Sequence, residues 1–361
     1  MLVLVVNAGS SSLKLRVLDP GDGVAAEADI DAPRARVDED ALRAWIAGAG
    51  TVDAVGHRIV HGGERFRSAV RVDDGVVREL RALTDLAPLH QPKSLAALDA
   101  VLAALPDTPT VACFDTAFHA TLAPEATTYA VPRAWRERWG VRRYGFHGLS
   151  HAYASRRAAE MTGARRVVTA HLGAGASLAA VRDGRSVDTT MGFTPLEGLV
   201  MATRSGSVDP GLLLWLLEHR GVPAAELSDA LEHRSGLTGL AGTGDMRELL
   251  ARDDDAAALR ALAIMNRRRR HRGHERRAVS PTNEQLRRGG AFVRDRCRMR
   301  ISVDHVRSDQ IPELATHRLI PRPPVERFGK SIPAGDAIVV IDNHDGLLNG
   351  VDHLRLKSHV D

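Results

Sequence analysis

The stretch Leu2–Leu18, LVLVVNAGSSSLKLRVL, decides the fold of the amino-terminal half. Its first residues form a continuous apolar run rich in valine and leucine, which predicts a buried strand. The polar segment Asn7–Ser12 then predicts a tight turn. Leu13, Leu15 and Val17 alternate with their neighbours as in a returning strand. The stretch therefore predicts a hairpin with a small, polar tip.

The same pattern recurs in Val167–Arg182, VVTAHLGAGASLAAVR. Val167–Ala170 predicts a strand, His171–Ser177 a glycine-rich turn, and Leu178–Arg182 the returning strand. Two such units indicate a duplicated α/β architecture, in which each half is a mixed sheet with helices and a cleft separates the halves. Backbone N–H groups of Gly and Ser turns bind anions, so two turns facing one cleft would hold a polyphosphate.

Three segments have the spacing and end signals of helices: Lys93–Ala104, His151–Met161 and Pro210–His219. The third has the strongest start signal, because Asp209 stands at the N-cap position and Pro210 at the first helical position.

Composition is that of an ordinary globular protein, with 361 residues, 44% hydrophobic and 26% charged. At about 150 residues per domain this length predicts two domains. Disorder throughout, collagen and coiled coils are excluded, and no apolar run approaches the roughly 18 residues of a membrane span. Cys113 and Cys297 are too few for a disulfide framework. We expect a cytoplasmic protein with no secretory signal and no membrane segment.

Charge is distributed unevenly along the chain. Residues 264–361 carry 20 Lys and Arg against 12 Asp and Glu, although the whole chain has a net charge of only +4. The run Arg267–Arg272 could bind nucleic acid. Because no aromatic residues interleave with it, a solvated arginine-rich stretch is the favoured interpretation, and no nucleic-acid partner is expected.

Four segments combine Arg, His or Asp with Gly, which is unusual for core packing: Gly56–Gly63, Phe114–His119, Arg142–Gly148 and Thr203–Pro210. Phosphoryl transfer needs such a set, because fixed cations and hydrogen-bond donors must surround the charged equatorial oxygens. Arginine matches phosphate and carboxylate oxygens, and carboxylate and amide oxygens are hard ligands for Mg²⁺.

Eight motifs in this order carry a resemblance to a known family: Asn7–Lys14, Gly56–Gly63, Ala87–Pro92, Phe114–His119, Tyr144–Gly148, Met191–Gly198, Thr203–Gly206 and Gly244–Arg247. Together they resemble the acetate kinase family. The resemblance covers residues 1 to about 250. It implies the duplicated ribonuclease-H-like fold of the actin, Hsp70 and sugar kinase superfamily, with an interdomain cleft.

The resemblance also implies a domain division and a reaction. The first acetokinase-type α/β domain would span residues 1–150 and a truncated second one residues 151–263. Residues 264–361 would form a basic segment that is incomplete or irregular. The reaction would be reversible phosphoryl transfer from ATP to acetate, giving acetyl phosphate and ADP. Mg²⁺ would be the metal, with Mn²⁺ as an alternative, and the protein would be a homodimer.

Residue roles follow from the matching motifs. The catalytic residues would be Asp115, His147 and Arg204, with Asn7 at the metal. Because acetate is already ionised at neutral pH, we favour metal and phosphate positioning for Asp115 over proton transfer. The acetate site would be Arg58, Val60, Leu89, Phe146 and Pro195. The ATP site would be Lys14, His171, Leu172, Gly173, Ala174, Gly175, Asp245, Met246 and Arg247.

The sequence departs from the family pattern in three places. Ala174 replaces a common Asn, and Ser207 replaces a usual Asp. After about Ala263 the late Gly-Ile-Gly-Glu-Asn nucleotide loop, the strand before the metal-binding Glu and the returning helix have no counterpart. The change of composition there is typical of a frameshifted or replaced C-terminus. Pro281–Gln285 resembles the family sequence around that Glu, and we interpret this resemblance as coincidence. The apolar segment Ala337–Asp342 predicts a strand.

Alternatives therefore stay open beside an active acetate kinase. Propionate or butyrate kinase is one, because a methylene is worth only about 1–3 kcal/mol of discrimination. A catalytically impaired nucleotide-binding remnant is the second, and a protein that binds nucleic acid through its arginine-rich tail is the third. Because the nucleotide loop has no counterpart, we expect little turnover by the 361-residue chain.

Overall fold

A computed structural model describes residues 1–9, 12–31, 38–88, 90–252, 254–266, 336–342 and 354–357 of the chain. The first sheet consists of β1 (Val3–Ala8), β2 (Ser12–Leu18), β3 (Val24–Asp31), β4 (Ala54–Ile59), β5 (Val70–Arg71) and β6 (Thr110–Phe114). The second consists of β7 (Arg166–Leu172), β8 (Ala176–Arg182), β9 (Arg185–Thr189), β10 (Asp336–Asp342) and β11 (Leu354–Lys357).

The helices of the first half are α1 (Glu39–Gly48), α2 (Asp74–Ala82), α3 (Gln91–Ala104), α4 (Pro124–Thr127), α5 (Arg133–Trp139) and α6 (Gly148–Thr162). Those of the second half are α7 (Pro210–His219), α8 (Ala224–His233), α9 (Gly236–Ala241) and α10 (Met246–Ala251), followed by a helix over 256–266. Short 3₁₀ helices occupy Thr84–Leu86 and Ala117–Thr121.

The two sheets repeat one topology. The first has the order β3-β2-β1-β4-β6-β5, in which β1, β4 and β6 are parallel and the β1–β2–β3 meander is antiparallel. The second has the order β11-β10-β7-β8-β9, in which the β7–β8–β9 meander is antiparallel and β10 lies parallel to β7. Strands β7 to β10 therefore correspond to β1 to β4, and the predicted duplicated α/β fold is confirmed.

Both predicted hairpins form, and their ladders run further toward the turn than the sequence indicated. In the first hairpin Asn7 pairs with Lys14 and Ala8 with Leu13, so Asn7 lies in a strand and not in the turn. In the second hairpin Leu172 pairs with Ala176. Polar residues near a tip extend the ladder because antiparallel pairing satisfies their backbone groups.

The predicted helices are present, with differences at their starts. The helix Pro210–His219 is confirmed at both ends, and Asp209 accepts a hydrogen bond from the backbone N–H of Gly211. Helix α6 begins at Gly148 instead of His151, because Gly and His in the motif Tyr144–Gly148 look like a loop in the sequence. Helix α3 begins at Gln91, two residues before the predicted start.

Two apolar clusters cover one face of the first sheet. One packs Leu4, Val6 and Leu15 against helices α1 and α3, and a second lies around Phe114. Ala154 and Ala158 of α6 pack on β7 and β8 of the second sheet. These clusters fix the strands whose carboxyl ends carry the motif residues.

The predicted strand Ala337–Asp342 is confirmed as part of β10, which extends the second sheet beside β7. The arginine run Arg267–Arg272, the segment Pro281–Gln285 and Cys297 lie outside the described residues. Cys113 is a free thiol. Among the helices that the structure describes, none has the length and apolar character needed to cross a lipid bilayer.

Candidate active site

Three predicted site residues meet at the carboxyl ends of neighbouring parallel strands. Asn7 and Arg58 are paired in register on β1 and β4, and Asp115 directly follows β6. Arg58 donates from Nη2 to Asp115 Oδ2 at 2.5 Å, from Nε to Asp115 Oδ1 at 3.1 Å, and from Nη1 to Asn7 Oδ1 at 2.9 Å. This edge is where open α/β sheets bind their ligands.

Arg58 is accessible, whereas its acidic partner is not. The side chain of Arg58 is 27% exposed and that of Asp115 only 3%. Burial works to lower the pKa of Arg58, but the charge and hydrogen bonds of Asp115 outweigh it and the pKa is raised. Arg58 therefore presents a permanent positive charge at the sheet edge.

The glycine-rich turn of the second hairpin lies beside two of the predicted catalytic residues. A Cβ atom placed on Gly175 would lie 3.3 Å from His147 Nε2 and 3.4 Å from Arg204 Nη1. Gly175 therefore leaves room for both side chains to approach the turn. The backbone N–H of Ala202 donates to Ala174 O at 3.2 Å, which ties the segment before Arg204 to the same turn.

Arg204 is held from two sides. Its Nε lies 2.9 Å from Glu232 Oε2 of α8, and its Nη2 donates to His90 Nε2 at 2.9 Å. Burial, and then the charges of Arg204 and Arg58, lower the pKa of His90 to about 4. His90 is therefore neutral at physiological pH and accepts the hydrogen bond from Arg204.

His147 has an unusual backbone conformation. It precedes α6 with φ of 58° and ψ of 22°, in the left-handed region that histidine seldom adopts. Its ring stacks on that of His171, with ring centroids 4.0 Å apart. Burial, and then the charges of neighbouring histidines and of Arg58 and Arg204, hold its pKa well below the usual value. His147 is therefore neutral and is positioned by a strained backbone.

The two groups of site residues adjoin one another. His171 lies on β7. Burial, and then the charge of Arg58, lower its pKa to about 4, and the charge of Asp115 partly opposes them. The backbone N–H of Gly148 donates to Asp115 O at 2.8 Å, which joins the start of α6 to the end of β6. Of the predicted residues, Asn7, Arg58 and Asp115 form one group, and His147, Arg204 and the glycine-rich turn form its neighbour.

The remaining predicted residues are placed as follows. Val60 and Phe146 belong to one buried apolar cluster that includes Leu178 and Met191, with Leu172 packed against it. Pro195 is buried in the loop after β9, and Leu89 lies outside the described residues.

The predicted nucleotide residues divide between two places. Lys14 lies on β2, paired with Asn7. Asp245 caps α10 by accepting from the N–H of Arg247, and both side chains are largely exposed. Met246 is half-buried. A Cβ on Gly244 would touch Ala202, so this segment adjoins the glycine-rich turn.

Comparison with known proteins places the chain. A model of the acetokinase family matches residues 40–277. An acetate kinase from Arthrobacter sp. (strain FB24) is 45% identical over 298 residues, which cover 74% of this chain and 76% of that protein. The chain belongs to the acetokinase family.

Solved structures agree with this family membership. An acetate kinase from Porphyromonas gingivalis matches with a TM-score of 0.69 and 34% identity, covering 77% of this chain and 80% of that one. A propionate kinase from Francisella tularensis matches with a TM-score of 0.72 and 32% identity, covering 78% and 81%. The chain therefore has the same type of two-domain fold as these acetokinase structures.

The donor atoms at the first sheet edge fit a hard cation. Asn7 Oδ1 and the Asp115 carboxylate are both bonded to the same guanidinium group, so they lie side by side. Mg²⁺ in phosphoryl-transfer sites binds one or two carboxylates and takes its other ligands from water and phosphate. The described residues contain no group of three His, Cys, Asp or Glu side chains that could hold a metal ion.

Two positioning contacts were missed in the sequence. His90 stands inside the motif Ala87–Pro92, which by itself implies no role for this histidine, and Glu232 lies in no motif at all. The signal for His90 was a histidine beside prolines at a helix start. Glu232 had no signal, because an ion pair between a loop and a helix 28 residues later leaves no periodic pattern.

A methyl group at Gly148 tests the junction between α6 and Asp115. A Cβ there would lie 2.2 Å from Asp115 O and 2.9 Å from the Phe118 Cβ, so the backbone must move. We expect Gly148→Ala to lower the free energy of unfolding by about 1–3 kcal/mol, measured from denaturant midpoints by circular dichroism. Gly48→Ala, in α1 with open space around it, is the control and should be neutral or stabilising. An unchanged midpoint for Gly148→Ala would contradict the tight junction.

Proposed function

We propose that this chain is an acetate kinase, which transfers the γ-phosphoryl group of ATP reversibly to acetate. The observation that carries the proposal is the juxtaposition of Arg58, Asp115 and Asn7 with His147 and Arg204. Two arginines provide one charge for a carboxylate and one for a phosphoryl group. Curated relatives at 45% and 43% identity are named acetate kinases, which supports this acceptor.

Arg58 is the residue that would bind the acetate carboxylate. In the structure its guanidinium group is hydrogen-bonded to Asp115 and Asn7. Mg²⁺ bound to the oxygens of Asn7 and Asp115 would neutralise charge on the nucleotide phosphates. Asn7 and Asp115 would hold the cation, and Arg58 would make a bidentate pair with the acetate carboxylate.

The transferred group needs donors and no base. One acetate oxygen attacks phosphorus, a P–O bond to acetate forms, and the P–O bond to the ADP oxygen breaks. No proton moves, because a carboxylate is ionised at neutral pH. Arg204 and His147 would stabilise the charge on the equatorial oxygens, which spread apart during transfer. Asp115 would therefore position the metal and Arg58.

The acyl pocket would be the apolar surface around Val60 and Phe146. An apolar surface suits a methyl group, and it discriminates weakly against a longer acyl chain. Propionate therefore remains an acceptor within this proposal, which fits the structural match to a propionate kinase.

The nucleotide side of the site decides how active the chain is. The phosphate turns and the Asp245–Arg247 segment are present, whereas residues 264–361 carry no Gly-Ile-Gly-Glu-Asn motif. Phosphate contacts alone would bind ATP weakly and with little selectivity. This favours an impaired nucleotide-binding remnant as the second candidate, with the chemistry retained in residues 1–263 and turnover limited by nucleotide binding.

We further propose that a second copy of this chain covers α7. None of the residues in this apolar helix is buried, with Leu214 55% and Trp215 41% exposed. Arg220 stacks over the Trp215 ring at 4.3 Å, which gives the helix one fixed aromatic surface. Exposed apolar patches of this kind mark protein contacts.

Substitution of the charged residues tests the chemistry. The background is a chimera that joins residues 1–263 to the C-terminal part of the Arthrobacter relative, so that nucleotide binding is complete. Arg58→Ala, Arg204→Ala and Asp115→Asn should each lower acetyl phosphate formation by roughly 10²–10³-fold, measured as hydroxamate. Arg81→Ala, which removes an exposed ion pair with Asp99, is the control and should leave turnover unchanged. Near-normal turnover by all three site variants would refute these roles.

A charge placed on α7 tests the dimer. We expect the 361-residue protein to sediment as a dimer and Leu214→Glu to sediment as a monomer, because a carboxylate would be buried without a partner. Leu240→Glu on α9, where the leucine is also 38% exposed, should remain dimeric. A monomeric unsubstituted protein, or a dimeric Leu214→Glu variant, would contradict the proposal.

A further inference from the structure

Four side chains behind the glycine-rich turn form a continuous chain of short hydrogen bonds. His147 Nδ1 lies 2.9 Å from Ser177 Oγ, and Ser177 Oγ lies 2.8 Å from His151 Nε2. His151 Nδ1 lies 2.7 Å from Thr169 Oγ1. The last three residues are completely buried, so no solvent shares these bonds.

The number of available protons limits the directions in which this series of hydrogen bonds can run. Burial, and then neighbouring histidine charges, hold the pKa of His151 and of His147 well below the usual value, so both rings are neutral. A neutral imidazole and a hydroxyl each carry one proton to donate. If His151 donates to Thr169, then Ser177 must donate to His151 and His147 must donate to Ser177. If Thr169 donates, the whole chain can run the other way.

The two directions differ at the buried end. When Thr169 donates to His151, every buried proton in the chain has an acceptor within 2.9 Å. When the chain is reversed, the Thr169 hydroxyl is left with the carbonyl oxygen of Ala179 at 3.5 Å. That separation is at the outer limit of a hydrogen bond, and a buried donor without a good acceptor is costly. The two mixed orders are also unfavourable. In one, both histidines donate to Ser177 and its buried proton has no histidine acceptor. In the other, Ser177 donates to His151 and the unprotonated Nδ1 of His147 faces the Ser177 oxygen at 2.9 Å without a proton between them.

We infer that Thr169, His151 and Ser177 are positioning residues, forming a one-way relay that keeps the proton of His147 on Nε2. This inference rests on the proposed phosphoryl transfer for its purpose. Nε2 lies beside Arg204 Nη1 at Gly175, where two donors would converge on the transferring group. An Nε2 without a proton could only accept, and it would repel the phosphoryl oxygens. The relay thus makes a neutral histidine a donor at the point where negative charge develops.

The tautomer is measured directly by NMR. The full 361-residue protein is labelled with ¹⁵N-histidine, and long-range ¹H–¹⁵N correlation distinguishes protonated from unprotonated ring nitrogens. The His147 signals are those missing from His147→Gln. We expect His147 and His151 both to carry their proton on Nε2. A proton on Nδ1 of His147 in the unsubstituted protein would overturn the inference.

A change at the far end of the relay tests the coupling. Thr169→Asp offers His151 only an acceptor at slightly alkaline pH, so we expect the relay to reverse and the two His147 nitrogens to exchange their chemical shifts. Thr169→Asn introduces a side chain of the same size as Asp but keeps a donor, and Thr169→Ser keeps the hydroxyl. Both variants should keep the native tautomer. A folded Thr169→Asp protein with unchanged His147 shifts would overturn the coupling.

The outcome for the relay is separate from that for the kinase. The tautomer is read without substrate or turnover, so the expected shifts together with a folded chimera that forms no acetyl phosphate would refute the proposed function alone. Should Thr169→Asp fail to fold, the tautomer of the unsubstituted protein still decides the direction of the relay. Loss of the native tautomer in Thr169→Ser would also contradict it, because that variant keeps the hydroxyl.

Discussion

The bonds of Arg58 to Asp115 and Asn7 join the carboxyl ends of three parallel strands, and the rest of the site depends on them. Asp115 is almost fully buried, so its charge would be costly without the guanidinium group. The same residue accepts through its carbonyl oxygen from Gly148, which fixes the start of α6 and with it His147. Asp115 therefore links the position of Arg58 to that of His147.

The sequence contained the local part of this arrangement. The hairpins, their duplication and the capped helix Pro210–His219 follow from periodicity and end signals, and the structure confirms them. The family motifs indicated most of the side chains at the sheet edges. The contacts of Arg204 with Glu232 and His90 could not be predicted, because they join segments distant in the chain without any repeat. The hydrogen bonds of Thr169 could not be predicted either, because a threonine in an apolar strand looks like an ordinary β-branched residue.

The carboxyl-terminal part shows a different limit of sequence reasoning. An apolar segment over Ala337–Asp342 indicated a strand but not its neighbour, because such a strand pairs with any open edge. The structure places it parallel to β7, where β4 stands in the first sheet. The second half thus completes its duplicated topology with a strand whose flanking sequence differs from the family pattern. In this account nucleotide binding, and not the fold, decides how active the chain is.

ADP formation with acetate, Mg²⁺ and ATP, compared between the 361-residue chain and the chimera carrying a relative's C-terminus, tests the central claim most directly. The account predicts little turnover by the chain and robust turnover by the chimera, because residues 1–263 hold the acetate and phosphoryl groups while the tail limits nucleotide binding. A folded chimera without activity would contradict the assignment of the chemistry to the Arg58 and Arg204 groups. Robust turnover by the chain itself would contradict the limit assigned to its tail.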